Sequence, residues 1–297
     1  MKKLSILLLL PGLLFCTSSL WADRALVERG HYIFDAAGCG SCHAGVKPLV
    51  GGRPIETPFG TFYSPNITPD KKYGIGAWSE EDFVRALRHG RNRKNQHLFP
   101  AFPYTSFTGM TRADMTALYA YLMTQPAYPV KNKPHDLRPL FKSRAMVGQW
   151  KIANFRRGPF KSERSRSREW NRGAYLANAL GHCGECHTPR GMLGGMNRSR
   201  LMAGNRKGPG DIPVPNITPD KNTGIGHWKL HDLFNFFDRG VKPDGSSASG
   251  RMAEVLGSSS MRLTAADKRA LATYLKSLPP IRDDVYSDDN PFTGGGH

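Results

Sequence analysis

The chain has 297 residues, with 42 Lys plus Arg against 24 Asp plus Glu, a formal net charge of +18, and five cysteines. Its length suits two domains of ordinary size, and its 39% hydrophobic and 10% aromatic residues exclude a globally disordered chain. The 32 Gly and 22 Pro exclude a long coiled coil and point to short elements joined by many loops, while the positive excess alone leaves nucleic acid, an anionic membrane surface and an acidic protein open as partners.

Residues 1–22 read as an export signal: Lys2 and Lys3, an apolar run from about Leu4 to Phe15, then small polar residues up to Ala22. The run is shorter than the roughly 20 apolar residues of a membrane span. Cleavage before Asp23, rather than retention as an anchor, is therefore the expectation. It places the mature protein in the periplasm, soluble or peripherally held at a membrane. Cys16 leaves with the signal, and the charge falls by two.

The first mature segment, Arg29-Gly30 followed by Tyr32-Ile33-Phe34, leads into Cys39-Gly40-Ser41-Cys42-His43. A second such pentapeptide stands at Cys183-Gly184-Glu185-Cys186-His187. Disulfides are the first thought for an exported chain. A His directly after C-x-x-C is instead the attachment pattern of c-type haem. Two thiols about one helical turn apart add to the two vinyl groups of one haem, and the following His reaches the iron from the proximal side. A zinc site has no evident second ligand pair here, and a redox dithiol needs no His. With no other cysteine left in the mature chain, the expectation is two covalently attached haem c groups, each with iron, on Cys39, Cys42, His43 and on Cys183, Cys186, His187.

Further along, Asn66-Ile67-Thr68-Pro69-Asp70-Lys71 recurs as Asn216-Ile217-Thr218-Pro219-Asp220-Lys221, and Gly74-Ile75-Gly76-Ala77-Trp78 as Gly224-Ile225-Gly226-His227-Trp228. The chain is a duplicated unit. A middle helix is predicted from Ser79, with Asp82 as its capping acid, to Gly90, carrying an apolar stripe of Phe83, Val84 and Leu87. Its counterpart, with Leu233, Phe234 and Phe237, ends at Gly240. A last helix starts at the cap Thr111 with Asp114 and places Met115, Leu118, Tyr119 and Leu122 on one face; its partner uses Thr264, Asp267, Leu271, Tyr274 and Leu275. No run shows the sustained alternation of a strand, so the predicted fold is all-α. The predicted units are residues 23–128 and 169–282, joined by a basic linker over 129–168 and followed by a flexible tail over 283–297.

These motifs resemble class I cytochrome c domains. The pair, with the phrase Phe99-Pro100-Ala101-Phe102-Pro103-Tyr104, resembles the cytochrome c subunits of periplasmic alcohol, aldehyde and molybdenum dehydrogenases. The resemblance implies an electron carrier that takes electrons from a dehydrogenase subunit and passes them to a downstream acceptor of the respiratory chain. It also implies a sixth iron ligand from the loop before each last helix. In the second unit Met252, within Gly250-Arg251-Met252-Ala253-Glu254-Val255, is the choice over Met261. In the first, relatives read P-x-M-P-Y where this chain has Phe102, which cannot bind iron. Met110, His97 and a five-coordinate iron stay open there. The last case would suit a dihaem enzyme such as a peroxidase or thiosulfate dehydrogenase.

The matched pairs Trp78/Trp228 and Arg29/Arg172 are candidates for haem propionates, and His182 reads as a surface residue. Basic residues crowd Lys142–Arg172 against only Glu163 and Glu169. The stretch is either a solvated linker or a docking surface for an acidic redox partner or anionic lipid. Nucleic acid is not an expected partner of an exported haem protein.

Overall fold

The computed structural model describes residues 14–283, with side chains from 23 onward. Most of the expected export signal and the expected tail from 284 lie outside the described residues. Helix α1 (Leu14–Ala36) runs through the expected cleavage point. The chain continues through α2 (Cys39–His43), strands β1 (Pro54–Thr57) and β2 (Gly60–Tyr63), α3 (Glu80–His89), α4 (Tyr104–Phe107) and α5 (Arg112–Met123). Strand β3 (Asp136–Leu137) and α6 (Arg144–Asn154) follow, then α7 (Arg168–Tyr175), α8 (Gly184–His187), α9 (Leu230–Arg239), α10 (Gly250–Ser258) and α11 (Ala265–Lys276).

The helix limits follow from their caps. Ser79 Oγ accepts the Asp82 N–H at 3.1 Å while the Asp82 carboxylate accepts the Ser79 N–H at 3.1 Å, a reciprocal capping box that starts α3. Gly90 and Gly240 end α3 and α9 in left-handed conformations. Thr111 and Thr264 cap α5 and α11 through the N–H groups of Asp114 and Asp267. Buried on these helices are Phe83, Val84 and Leu87, Leu233 and Phe237, and Met115, Leu118, Leu122, Leu271, Tyr274 and Leu275, so most of each predicted stripe forms the core; Tyr119 is half-buried against it, and in α9 Phe236 rather than the predicted Phe234 packs there.

In each half the first helix crosses the last at a glycine. A Cβ on Gly30 would sit 1.9 Å from the Ala117 carbonyl oxygen, and one on Gly173 equally 1.9 Å from that of Ala270. Backbone contact at that point requires glycine.

The all-α expectation is corrected by a three-stranded antiparallel sheet in the order β1-β2-β3, with Pro54 opposite Tyr63 and Gly60 opposite Leu137. Its strands are at most four residues long. Their alternation is too brief to register as a period, and Pro54, Pro58 and Gly60 disguise it further.

The basic segment after residue 128 is also more ordered than a solvated linker. Strand β3 and α6 lie within it, and the Lys151 amine is buried, donating to the carbonyls of His89 (2.9 Å) and Gly90 (2.7 Å) at the end of α3. There it satisfies the carbonyls that a helix C-terminus leaves free. Arg144 donates to the His97 carbonyl at 2.6 Å. Ser162 to Arg168 are exposed, as a solvated Ser/Arg stretch should be.

Candidate haem-attachment centres

Each C-x-x-C-H segment begins with a left-handed residue, Gly38 (φ 61°) in one half and His182 (φ 39°) in the other. The turn drops the cysteines into a short helix, where their spacing sets the two thiols about one turn apart. All four are free. Burial pushes the Cys39 and Cys183 thiols up to about 12 and raises Cys186 as well. They are thus protonated at neutral pH and poor in the thiolate that disulfide exchange needs.

The histidines are oriented identically. His43 Nδ1 lies 2.8 Å from the Pro65 carbonyl, and His187 Nδ1 lies 2.8 Å from the Pro215 carbonyl. A carbonyl only accepts, so each Nδ1 carries the hydrogen and each Nε2 keeps its lone pair for a metal. Burial lowers both imidazole pKa values and favours the neutral, ligating form.

The repeated N-I-T-P-D segment builds that support. Asn66 Oδ1 accepts from the Thr68 N–H (2.9 Å) and hydroxyl (2.7 Å), and Asn216 does the same for Thr218 at 2.8 and 2.7 Å. The turn is tied back to the attachment segment: Gly51 donates to the His43 carbonyl at 3.0 Å, and Gly204 to the His187 carbonyl at 2.8 Å. What recurs in sequence is what aims the histidine. Four cysteines paired by turn and two histidines with a fixed tautomer suit a covalently bound haem in both halves.

The chain belongs to the cytochrome c family. The family comparison matches Cytochrome c over residues 27–126. A "Diheme cytochrome c-type" protein of Cereibacter sphaeroides is 43% identical over 262 residues, 86% of either chain. The fructose dehydrogenase cytochrome subunit of Gluconobacter japonicus is 41% identical, over 87% of this chain and 54% of its own length. The cytochrome c subunit of the quinone alcohol dehydrogenase of Gluconobacter oxydans is 36% identical, over 92% and 59%. This cytochrome c thus spans little more than half of those two dehydrogenase subunits.

The loops that would supply a sixth ligand can be superposed by their hydrogen bonds. After Gly90 and Gly240, the bridges Arg91–His97 and Val241–Ser247 close matching turns. Leu98 then donates to Gly90 at 2.8 Å, as Ala248 does to Gly240 at 2.7 Å. In this shared register Phe102 stands where Met252 stands, and both are half-buried against the core. Met110 is not brought to that position. It is completely buried among core side chains, and its carbonyl accepts from Arg88 at 2.7 Å. The His97 ring lies elsewhere again, packed against Gly148 of α6, 2.9 Å from where a Cβ on that glycine would be.

Arg29 and Arg172 are turned to protein carboxylates. Arg29 pairs with Asp114 at 2.5 Å, and Arg172 with Asp267 at 2.5 Å. Each aspartate also holds a tyrosine of the opposite half: Tyr175 donates to Asp114 and Tyr32 to Asp267, both at 2.5 Å. The same two hydroxyls accept from the cap N–H groups of Thr111 (3.1 Å) and Thr264 (3.3 Å). The contact is isologous, residue for residue, as in a symmetric dimer. Trp78 and Trp228 are half-buried against the core, and the Trp78 carbonyl accepts from Tyr119 at 2.8 Å.

Sequence reasoning missed Glu185, inside the second attachment segment. Its carboxylate accepts from Thr105 and Ser106 of α4 (2.5 and 2.7 Å) and from Arg190 (2.6 Å). An acid between the two cysteines of a C-x-x-C-H motif was the available signal.

Proposed function

We propose that this cytochrome c carries two haems, one on Cys39, Cys42 and His43 and one on Cys183, Cys186 and His187, within tandem class I cytochrome c domains over residues 23–128 and 169–282. It accepts electrons from a dehydrogenase in the periplasm and delivers them to a respiratory acceptor. The observation that carries this reading is the duplicated histidine support, Nδ1 on Pro65 and on Pro215 at the same 2.8 Å. Bound haem supplies the one-electron iron couple; the protein fixes the imidazole, sets the thiols about one helical turn apart and provides the protein environment of each iron. Relatives named as cytochrome subunits of fructose and alcohol dehydrogenases support a dehydrogenase of that substrate class as donor.

Met252 is the proposed sixth ligand of the second haem. In the first unit Phe102 holds the corresponding place, while Met110 and His97 are committed to packing. The first iron is therefore proposed to lack a methionine ligand. This asymmetry favours a second reading, a dihaem enzyme that binds a small ligand at the first haem. One experiment addresses both. Haem content per chain should be two, and oxidised protein mixed with an alcohol or sugar dehydrogenase and its substrate should show haem reduction dependent on that substrate. A haem content of one, or no reduction by any such dehydrogenase, refutes the carrier reading. Turnover of peroxide by the isolated chain would favour the enzyme.

A further inference from the structure

We infer that each half of this chain tunes the other half's redox centre through an arginine–carboxylate latch, an inference that rests on the two-haem reading. Both latches start at the same backbone atom, the carbonyl of the third residue of C-x-x-C-H. In the first half Arg53 donates to the Ser41 carbonyl at 2.9 Å, and in the second Arg190 donates to the Glu185 carbonyl at 2.7 Å. Each guanidinium also holds a carboxylate. Arg53 pairs with Glu254 at 2.5 Å, and Arg190 with the side chain of Glu185 itself at 2.6 Å.

Either latch ends on the opposite half, just past the position that corresponds to a sixth ligand. Glu254 lies on α10, two residues after Met252. Glu185 accepts from Thr105 and Ser106 of α4, three and four residues after Phe102. The chain at the end of α10 is held to the first half by two further bonds, from Ser259 to the Ala36 carbonyl at 3.1 Å and from Arg262 to the Asp35 carboxylate at 3.0 Å. Duplication does not account for the match. The shared bonds from Gly51 and Gly204 put Arg53 opposite Arg206, whereas the arginine on the Glu185 carbonyl is Arg190. The same link is built twice from non-equivalent side chains.

Stability is not what the two latches share. The side chains of Arg53 and Glu254 are 31% and 50% exposed, where an ion pair contributes little. Those of Arg190 and Glu185 are more enclosed, at 29% and 11%. What both share is a cation bound to an attachment segment and balanced by an anion. Paired, the two charges largely cancel at a distance; with one removed, the other acts unopposed. Local net charge and hydrogen bonding are levers on the potential of a haem iron. A lone cation favours the ferrous state and a lone anion the ferric. Arg53, Glu254, Arg190 and Glu185 are therefore positioning residues, acting on each iron through its attachment segment.

The test uses redox titration of full-length protein matured with haem, each wave being assigned from chains in which the other half's attachment cysteines are replaced by Ser. Glu185→Gln keeps an acceptor for Thr105 and Ser106 but removes the anion. It should favour reduction of the second haem about tenfold, a rise of ~59 mV for a one-electron couple. Arg190→Gln should lower the same potential. The deciding variants lie across the seam. Thr105→Val with Ser106→Ala, in the first half, strips two donors from Glu185 and should disfavour reduction of the second haem about threefold. Glu254→Gln, in the second half, should favour reduction of the first haem, by about threefold because solvent screens the exposed pair. Amide hydrogen exchange over residues 104–107 should accelerate in Glu185→Ser, which copies Ser41 of the first half, and stay at the wild-type rate in Glu185→Gln. Shifts of one sign in Glu185→Gln and Arg190→Gln overturn the latch and leave the carrier function standing. So does a second-haem potential unmoved by the Thr105 and Ser106 changes, or exchange unchanged in Glu185→Ser. A wild-type chain with one haem overturns the two-haem reading itself. If a change at Glu185 prevents haem uptake, the variants at Thr105 and Ser106 and at Glu254, all outside the attachment segments, decide by the same shifts.

Discussion

The two halves of this cytochrome c are alike around their C-x-x-C-H segments and unlike in the elements that surround them. Both present an imidazole on a proline carbonyl, an Asn–Thr turn behind it, a glycine crossing and a threonine-capped last helix. Among the described residues only the first carries the sheet and the covering helix α6, only the second has the π turn, and Phe102 opposes Met252. On the proposed two-haem reading, the duplicated parts would do the common work of attachment and the differences would make one centre chemically distinct from the other. A carrier with two such unequal centres would have a direction, because a methionine ligand stabilises ferrous iron and raises the potential.

The sharpest way to break the comparison is to remove one centre. Cys183→Ser combined with Cys186→Ser should leave one haem per chain instead of two, measured as haem iron against protein mass. The same double change at Cys39 and Cys42 should give the mirror result. Loss of both haems from either variant would show that the halves do not load independently.

Next in size is the sixth-ligand asymmetry. Reduced wild-type protein should bind carbon monoxide at one haem per chain. Phe102→Met should abolish that binding and raise the lower midpoint potential toward the higher one, read by redox titration. Carbon monoxide uptake unchanged by Phe102→Met would remove Phe102 from the argument.

The glycine crossings should respond alike. Ala at Gly30 or at Gly173 forces the first helix off the last, and each should cost about 1–3 kcal/mol by denaturant unfolding, the usual range for overpacking. Very different costs would show that one half is the stability scaffold.

A smaller effect is expected at the reciprocal tyrosine contact. Burial pushes the Asp267 carboxyl up, but the hydrogen bonds from Arg172 and Tyr32 outweigh it and hold the group below its ordinary value. A carboxylate depressed in the folded state contributes stability above its unfolded pKa of about 3.9 and loses it as pH falls through the folded value. Asp267→Asn should therefore cost about 1–3 kcal/mol at neutral pH, and its deficit should shrink as the pH drops below 4. A deficit constant from pH 7 to pH 3 would show that the charge on Asp267 contributes nothing.

Helix limits were legible in the sequence because they rest on local chemistry, and the proposed attachment segments likewise rest on local spacing. Ser79 needs only Asp82, and Cys39 needs only Cys42 and His43. The sheet escaped because β3 pairs with a strand some 75 residues earlier and contributes only Asp136 and Leu137. Arg29 and Arg172 were identified as a matched pair, yet their partners could not be. Asp114 and Asp267 already had an explanation as helix-cap acids, and nothing local says that they also receive a tyrosine from the other half. His182, read as a surface residue, is only part-exposed for a similar reason, since its ring meets Phe107 of the first half edge-on at 5.5 Å. The Lys142–Arg172 charge loses Lys151 and Arg144 to backbone carbonyls and Arg172 to Asp267, so any docking role falls to the exposed cations Lys142, Arg156, Arg157, Lys161, Arg164, Arg166 and Arg168.

The tyrosine contacts also bear on the order in which the molecule is made. Tyr32 and its carboxylate partner, Asp267, are separated by 235 residues. The first half can complete its own helices and its Arg29–Asp114 pair as soon as it is synthesised. It cannot close against its twin until almost the whole chain has emerged. Contacts of such sequence separation form late and slowly. For that interval the first attachment segment stands without its neighbour, so a heme-loading machinery working from the N-terminus would meet one open site at a time.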